Sequence, residues 1–476
     1  MTPATSPATT SARAEHPAGS FPPGPPPRKR GLVSSLRYNY GFFRDSLGFV
    51  NKRFETYGDL YYAPSDGLGL YVVRHPLQVH EVLVANAAKY GKGHTALQRV
   101  ADIIGDGMLT TDGETWRRQR KLSQPAFARS RLAEYTEVMS AEAVRALASW
   151  SDGETREVDR DMMTLTLRVV SKALFGHDLA NADVAVVDRL MSVFQTGAIA
   201  ANLLPRWLPN PARHRLRGAS AALDELMYRL IARSQEGLRG GATGAVGTKA
   251  NLLDMLVNAV DEEDPRARLD AREVRDNLMT LLLAGHETTS NALTWTLYAL
   301  SQHPEIERTL MAEVDAVLGG RAPTFEDLPK LRYAEQVLKE SMRMYPPVHS
   351  LARVAAEDSE LGGYPIKKGS EVVIWVYWMH HDARWFPEPE RFRPERFSPE
   401  GEAALEKSSY IPFGAGPRAC IGKAFAMLEA QLLLVLLVQR FHFSLAPGQK
   451  VALNPRITLR PKHGMRMRLT RRLQQG

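Results

Sequence analysis

The 476 residues contain one cysteine, Cys420. A single thiol excludes intramolecular disulfides, gives no sign of secretion, and rules out zinc or iron–sulfur sites built on several thiolates. Residues 1–30 lack any apolar stretch long enough for a signal peptide. They are rich in Pro, Ala, Ser and Thr, which predicts a disordered tail ahead of one catalytic domain spanning 31–476. No internal repeat and no linker-like shift in composition interrupts that domain.

Long hydrophobic runs are scarce. Residues 278–300, LMTLLLAGHETTSNALTWTLYAL, are long enough to span a bilayer, but His286 and Glu287 lie at their centre, where charge is most costly in lipid. Residues 424–438 are too short and carry Glu429. Both read as buried helices, with no membrane span and a cytoplasmic location. The net charge of +8 comes with no compact basic stretch beyond Arg28–Arg30 and the C-terminal arginines. It lacks any nucleic-acid-binding motif and fits an acidic protein partner.

Several familiar motifs fail. Gly67 and Gly69 are followed by Val72 where a dinucleotide fingerprint needs glycine. Gly416–Lys423 is one residue too long for a phosphate loop, and Ala424 stands where Ser or Thr would hold magnesium. His380-His381 has no metal-ligand spacing, and no nucleophile elbow occurs.

The pattern that remains is mostly helical with minor β-structure, an α+β chain. Two strands within 59–74 share an Asp-Gly turn, and a mainly helical region runs from 76 to 345 with loops at 104–114, 204–212 and 238–248. A helix over 328–344 stops at Pro346-Pro347. YPIKKGSEVVIWVYW reads as a turn feeding a strand, 385–412 is irregular, and a helix covers 422–440.

Cys420 sits in FGAGPRACIG, residues 413–422. A lone cysteine is often an inert core thiol. Here Gly414 and Gly416 admit backbone conformations closed to other residues. Gly422 opens an apolar helix whose N-terminal amides favour a thiolate, and Arg418 adds positive charge two residues away. That setting suits an anionic sulfur ligand to one metal, such as haem iron.

The segment resembles the haem-binding loop of the cytochrome P450 superfamily at every fixed position. The resemblance implies a helical fold with small β-sheets, haem b as cofactor and Cys420 as the axial iron ligand. Phe413 would pack near the sulfur and Arg418 would meet a haem propionate. Trp116 and Arg120, in WRRQR, resemble the helix that reaches a propionate, and Arg353 occupies the place of another propionate arginine. Glu340 and Arg343 match the Glu-x-x-Arg helix. Arg396, in FRPERF, would complete a structural network with them.

AGHETTS, residues 284–290, resembles the oxygen-activation segment. Glycine and a buried glutamate break local rules in a helix interior. By resemblance, Ala284 and Gly285 leave space over the haem face. Thr288 holds water by a hydrogen bond, and Glu287 relays protons.

The implied activity is insertion of one oxygen atom from O2 into a small apolar substrate such as a fatty acid, terpenoid, steroid or polyketide. A peroxide-driven hydroxylase or haem isomerase is the alternative, but neither needs the Glu287-Thr288 pair. The chain ends about 55 residues after Cys420. Electrons are therefore expected from a separate ferredoxin or flavodoxin and its NAD(P)H-dependent reductase. The substrate pocket is expected from 90–110, 190–210, 279–288, 348–353 and 455–459.

Overall fold

The computed structural model describes residues 21–27, 40–64, 69–93, 104–175, 210–239, 251–259 and 268–472, with single positions at 101 and between 183 and 193. Parts of the expected loops and pocket walls, at 94–100, 194–209 and 240–250, lie outside the described residues.

Ten longer helices are described: α1 (Ser46–Tyr57), α2 (Gly113–Ser123), α3 (Arg129–Leu147), α4 (Val158–Phe175), α5 (Pro211–Arg239), α6 (Leu252–Asn258), α7 (Ala271–Gln302), α8 (Pro304–Leu318), α9 (Arg332–Met344) and α10 (Lys423–Arg440). The 32-residue α7 is the central element, packed along α4 and also against α5, α9 and α10. Its start is a capping box. The Asp270 side chain accepts from the Glu273 amide at 2.8 Å, and Glu273 accepts from the Asp270 amide at 3.2 Å. Leu428–Gln439 of α10 are buried all round, which explains an apolar run with so little amphipathic character. No described helix is long and apolar enough to cross a membrane.

The described strands are few and short. β1 (Leu60–Ala63), β2 (Leu70–Val73), β8 (Glu371–Ile374), β5 (Leu351–Ala355) and β3 (Tyr90–Gly91) form one sheet in that order. β4 (Thr155–Glu157), β12 (Arg466–Arg471) and β9 (Phe441–Leu445) form a second. Two hairpins, β6–β7 (Ser359–Leu361, Tyr364–Ile366) and β10–β11 (Leu453–Pro455, Leu459–Pro461), complete the set. The α+β reading with small sheets describes this architecture.

Two expectations need correction. The disordered tail was expected through residue 30. Instead, residues 21–27 lie on the edge of β1. The Tyr62 amide donates to the Pro23 carbonyl at 3.0 Å, Phe21 stacks on Tyr62 at 4.4 Å, and Pro22 is buried. An unpaired strand edge and an aromatic face hold a segment whose composition alone predicts disorder. The strand through VVIWVYW also ends early, at Ile374, and Val376–His380 is a helical turn. A short apolar run cannot be assigned to strand or helix by periodicity alone.

Candidate active site

The cysteine loop is shaped by close approach. Gly416 has φ +70°, and a Cβ there would lie 1.8 Å from the Leu83 carbonyl oxygen. Only glycine fits that position. Gly414 has φ +71°, and the Cys420 amide closes the loop by donating to the Phe413 carbonyl at 2.9 Å. Gly422 is the N-cap of α10, and its Cα-side face lies against Cys420 Sγ and Phe127. Cys420 is accessible by surface area, yet protein atoms surround it closely enough that burial pushes its thiol up. The Gly422 amide, Arg120, Lys92 and Lys423 pull the other way. Sequence reading assigned that role to Arg418. Its side chain turns elsewhere, and the cations beside the sulfur come from three other segments.

Arg418 lies over the Trp116 ring at 4.2 Å, donates to the Thr111 carbonyl at 3.1 Å and pairs with Asp112. Arg120 lies 5.9 Å from the same ring and donates to the Ala419 carbonyl at 2.9 Å. Arg353, buried on β5, is pushed down to about 10 by desolvation and by Arg418. Lys92 is pushed down to about 7 by desolvation, Arg353 and Arg418. The Asp112 carboxylate acts on all three cations, and it accepts the Lys92 amide at 2.8 Å. Crowded, desolvated cations with so little counter-charge make a site for a dianion. This donor set fits a haem: the cations suit its two propionates, and the accessible Cys420 offers a thiol to its iron. Lys92 and Asp112 were missed by sequence reading, and their meaning appears only when four distant segments meet.

Helix α7 carries the second half of the site. Ala284 is exposed, and Leu281 and Thr288, one turn to either side on the same face, are half-buried. The Thr288 hydroxyl donates to the Ala284 carbonyl at 2.8 Å. Gly285 was expected to open the same face. A Cβ there would instead meet Val170 of α4 at 3.2 Å, so its missing side chain serves helix–helix packing.

The expected acid–alcohol pair does not touch. Consecutive helical residues point about 100° apart, and Glu287 faces the β10–β11 hairpin. Its Oε1 accepts from Thr458 at 2.5 Å and from Arg460 Nε at 2.9 Å. Asn291 donates to Thr458 at 3.0 Å, and Trp295 donates to the Leu459 carbonyl at 2.9 Å. Positions 287, 291 and 295 form a stripe at intervals of four. That periodicity was readable in the sequence, although the partners were not.

Behind the cysteine loop, Glu340, Arg343 and Arg396 come together with almost no exposure. Arg343 donates to both Glu340 oxygens at 2.8 and 2.9 Å, and Arg396 donates at 3.2 Å. Arg343 also donates to the His380 carbonyl at 2.9 Å, and His380 Nε2 accepts the Ile411 amide at 3.1 Å. Desolvation holds His380 well below the usual imidazole range, so it accepts as a neutral ring. This residue, set aside as a metal ligand, ties the charged network to the start of the cysteine loop.

One buried group was not anticipated. Glu429 on α10 has no exposure, and neither carboxyl oxygen has a hydrogen-bond partner among the described residues. Its neighbour Thr289 donates instead to the Gly285 carbonyl at 3.1 Å. Desolvation pushes Glu429 up to about 8, with Thr289 opposing weakly.

A helical fold, a glycine-shaped loop presenting one thiol, and a cation cluster suited to propionates define a haem-thiolate protein. The family model for cytochrome P450 matches residues 22–466, and the chain belongs to that family. Cyclooctatin synthase of Streptomyces melanosporofaciens is 38% identical over 411 residues, 85% of this chain and 87% of that one. Cyclooctat-9-en-7-ol 5-monooxygenase of the same organism is 32% identical over 422 residues, 88% and 89% of the two chains. Among solved structures, the cytochrome P450DA heme domain superposes with a TM-score of 0.82 at 27% identity, covering 95% of this chain and 99% of that one. The protein is a cytochrome P450 monooxygenase with a haem-thiolate cofactor; it uses O2 and receives electrons from a redox partner.

Proposed function

We propose that this monooxygenase hydroxylates a cyclic terpenoid, using haem b and electrons from a separate ferredoxin or flavodoxin. The observation that carries the reading is the open face of α7: Ala284 is exposed at mid-helix, with half-buried Leu281 and Thr288 on the same face. The terpenoid class is supported by the two Streptomyces relatives. It also agrees with the apolar Leu281, Leu283, Leu351 and Ile457, all at least partly accessible.

A bound haem would supply O2 activation, with Cys420 as the residue that would hold its iron. Lys92, Arg353 and Arg418 would orient it by pairing with its propionates, and Trp116 is the surface on which Arg418 rests. Ala284 leaves room for the reacting carbon. Thr288 holds a water or a proton at its Oγ on the open face, and Glu287 supplies protons from the hairpin side. The net charge of +8 favours an acidic electron donor.

The test offers cyclooctat-9-en-7-ol and lauric acid to the purified holoprotein. A low-to-high spin shift and a product gaining one oxygen atom are expected with the terpenoid. A shift with lauric acid alone would replace the terpenoid reading by a fatty-acid one. Thr288→Ala should keep its haem and divert reducing equivalents to hydrogen peroxide; unchanged coupling would remove Thr288 from proton delivery.

A further inference from the structure

Two helices border the site. α10 leads away from the cysteine loop, α7 carries the open face, and Glu429 lies between them. Its side chain has no exposure, and neither carboxyl oxygen has a hydrogen-bond partner among the described residues. The N-cap of α10 is Gly422, two residues past Cys420, so Glu429 sits about 10 Å along the axis from the end of the loop. Toward α7 it meets Thr289, whose hydroxyl is turned back onto the Gly285 carbonyl at 3.1 Å. α10 also packs on α3, α8, α9 and β9. No charged or titratable side chain of these elements acts on the carboxyl among the described residues, and Thr289 is the one polar group that does. A buried carboxyl without bonds is costly, and from Leu432 to Val438 the same helix is filled by Leu and Val. The helix thus holds one acid at a place where packing needs none.

We propose that Glu429 tunes the reduction potential of the haem: as a neutral acid it holds the potential high, as a carboxylate it lowers it, and reduction of the iron draws a proton onto it. The inference rests on the reading of Cys420 as the iron ligand, which fixes α10 against the haem. A charge in a dry interior is weakly screened. At about 10 Å and an effective dielectric of about 20, one negative charge changes the equilibrium for adding an electron roughly tenfold. Ferrous haem carries one negative charge more than ferric haem, so the neutral acid favours it and the carboxylate disfavours it. Burial pushes Glu429 up to about 8. The potential should therefore be high and level below that pH, fall through it, and level again above it. Where Glu429 is ionised, the redox partner supplies one electron, which takes iron from ferric to ferrous. Water supplies one proton, which turns the carboxylate into the acid, and no other bond changes. Lys92, pushed down to about 7, is a second group that changes charge in this range. Arg353, pushed down only to about 10, keeps its charge there.

The experiment is a spectroelectrochemical titration of the substrate-free holoprotein from pH 6 to 9. It compares the parent with Glu429→Gln and Glu429→Asp, each checked for haem content and for its carbon-monoxide spectrum. Between pH 7 and 9 the parent potential should fall by the equivalent of a roughly tenfold change in the reduction equilibrium. Glu429→Gln should stay level, near the parent's value at low pH, and Glu429→Asp should keep a fall. The second readout is the ferrous-minus-ferric infrared difference at pH 8.5. On reduction the parent should gain the C=O stretch of an unbonded carboxylic acid, and Glu429→Gln should not. A role in packing alone would move neither readout. If the potential of Glu429→Gln falls with pH as the parent's does, the dependence belongs to Lys92 or the propionates, and the inference is overturned. A parent potential that is level over the whole range overturns it as well. If the parent lacks the red-shifted carbon-monoxide band, ligation by Cys420 falls first and takes the inference with it.

Discussion

Gly416 meets Leu83 backbone to backbone: a Cβ on Gly416 would lie 1.8 Å from the Leu83 carbonyl oxygen, and φ there is +70°. The turn that presents Cys420 is thus formed against the segment Glu81–Ala85, more than 300 residues earlier in the chain. Gly416→Ala must shift one backbone or the other, with strain of about 1–3 kcal/mol from the dihedral alone. The expected outcome is a lower Tm and holoprotein that loses most of its haem on purification. Full haem content with an unchanged Tm would show that the loop has slack the geometry denies.

Much of this was readable in the sequence, for a physical reason. The cysteine loop and α7 carry their chemistry in contiguous runs, where glycines, the thiol and a buried Glu violate local rules within a few residues of each other. The partners of those groups were not readable. Arg460 reaches Glu287 across 173 positions, and Lys92 meets Arg353 and Arg418 only through the folded chain. Trp375 and Val376 show the converse limit: an apolar run that continues a strand in sequence turns into helix, the register with β2 ending at Ile374 and a last bond from the Trp375 amide to the Val73 carbonyl at 2.8 Å.

Glu340 is the shared acceptor of Arg343, Arg396 and the Arg393 amide. Glu340→Ala leaves two buried guanidinium groups without a counter-charge, which typically costs 3–5 kcal/mol. The variant should express with little folded holoprotein, and Arg343→Ala should fail in the same way. A double variant that unfolds no more easily than either single one, measured by urea denaturation, would confirm that the charges act as a unit. Independent, additive losses would contradict it.

Glu429 gives stability a pH dependence of definite sign. Its folded carboxyl is raised from 4.5 to about 8, so the folded state prefers the proton. The contribution is fully present below pH 4.5, is lost as pH rises toward 8, and is flat above. Ionising it in place costs on the order of 5 kcal/mol. Glu429→Gln should abolish that slope, leaving the variant more stable than the parent at pH 8 and close to it at pH 5. Parallel Tm profiles from pH 5 to 9 would mean that water or Thr289 already solvates the carboxylate.

Lys92 has the opposite logic. Burial and neighbouring cations depress it from 10.5 to about 7, so the apoprotein prefers it neutral. That contribution is present above pH 10.5 and lost as pH falls toward 7. Lys92→Met should therefore stabilise the apoprotein at pH 7 while speeding haem loss several-fold, because a propionate partner is gone. Haem transfer to apomyoglobin measures the second effect, and an unchanged transfer rate would take Lys92 out of the cofactor site.

The account turns on one sulfur being the iron ligand, and the spectrum of the reduced, carbon-monoxide-bound protein tests it most directly. Thiolate ligation by Cys420 predicts a strongly red-shifted Soret band in the parent protein and its loss in Cys420→His, with haem still bound. A parent band at the ordinary position, or a red-shifted band that survives Cys420→His, would contradict it.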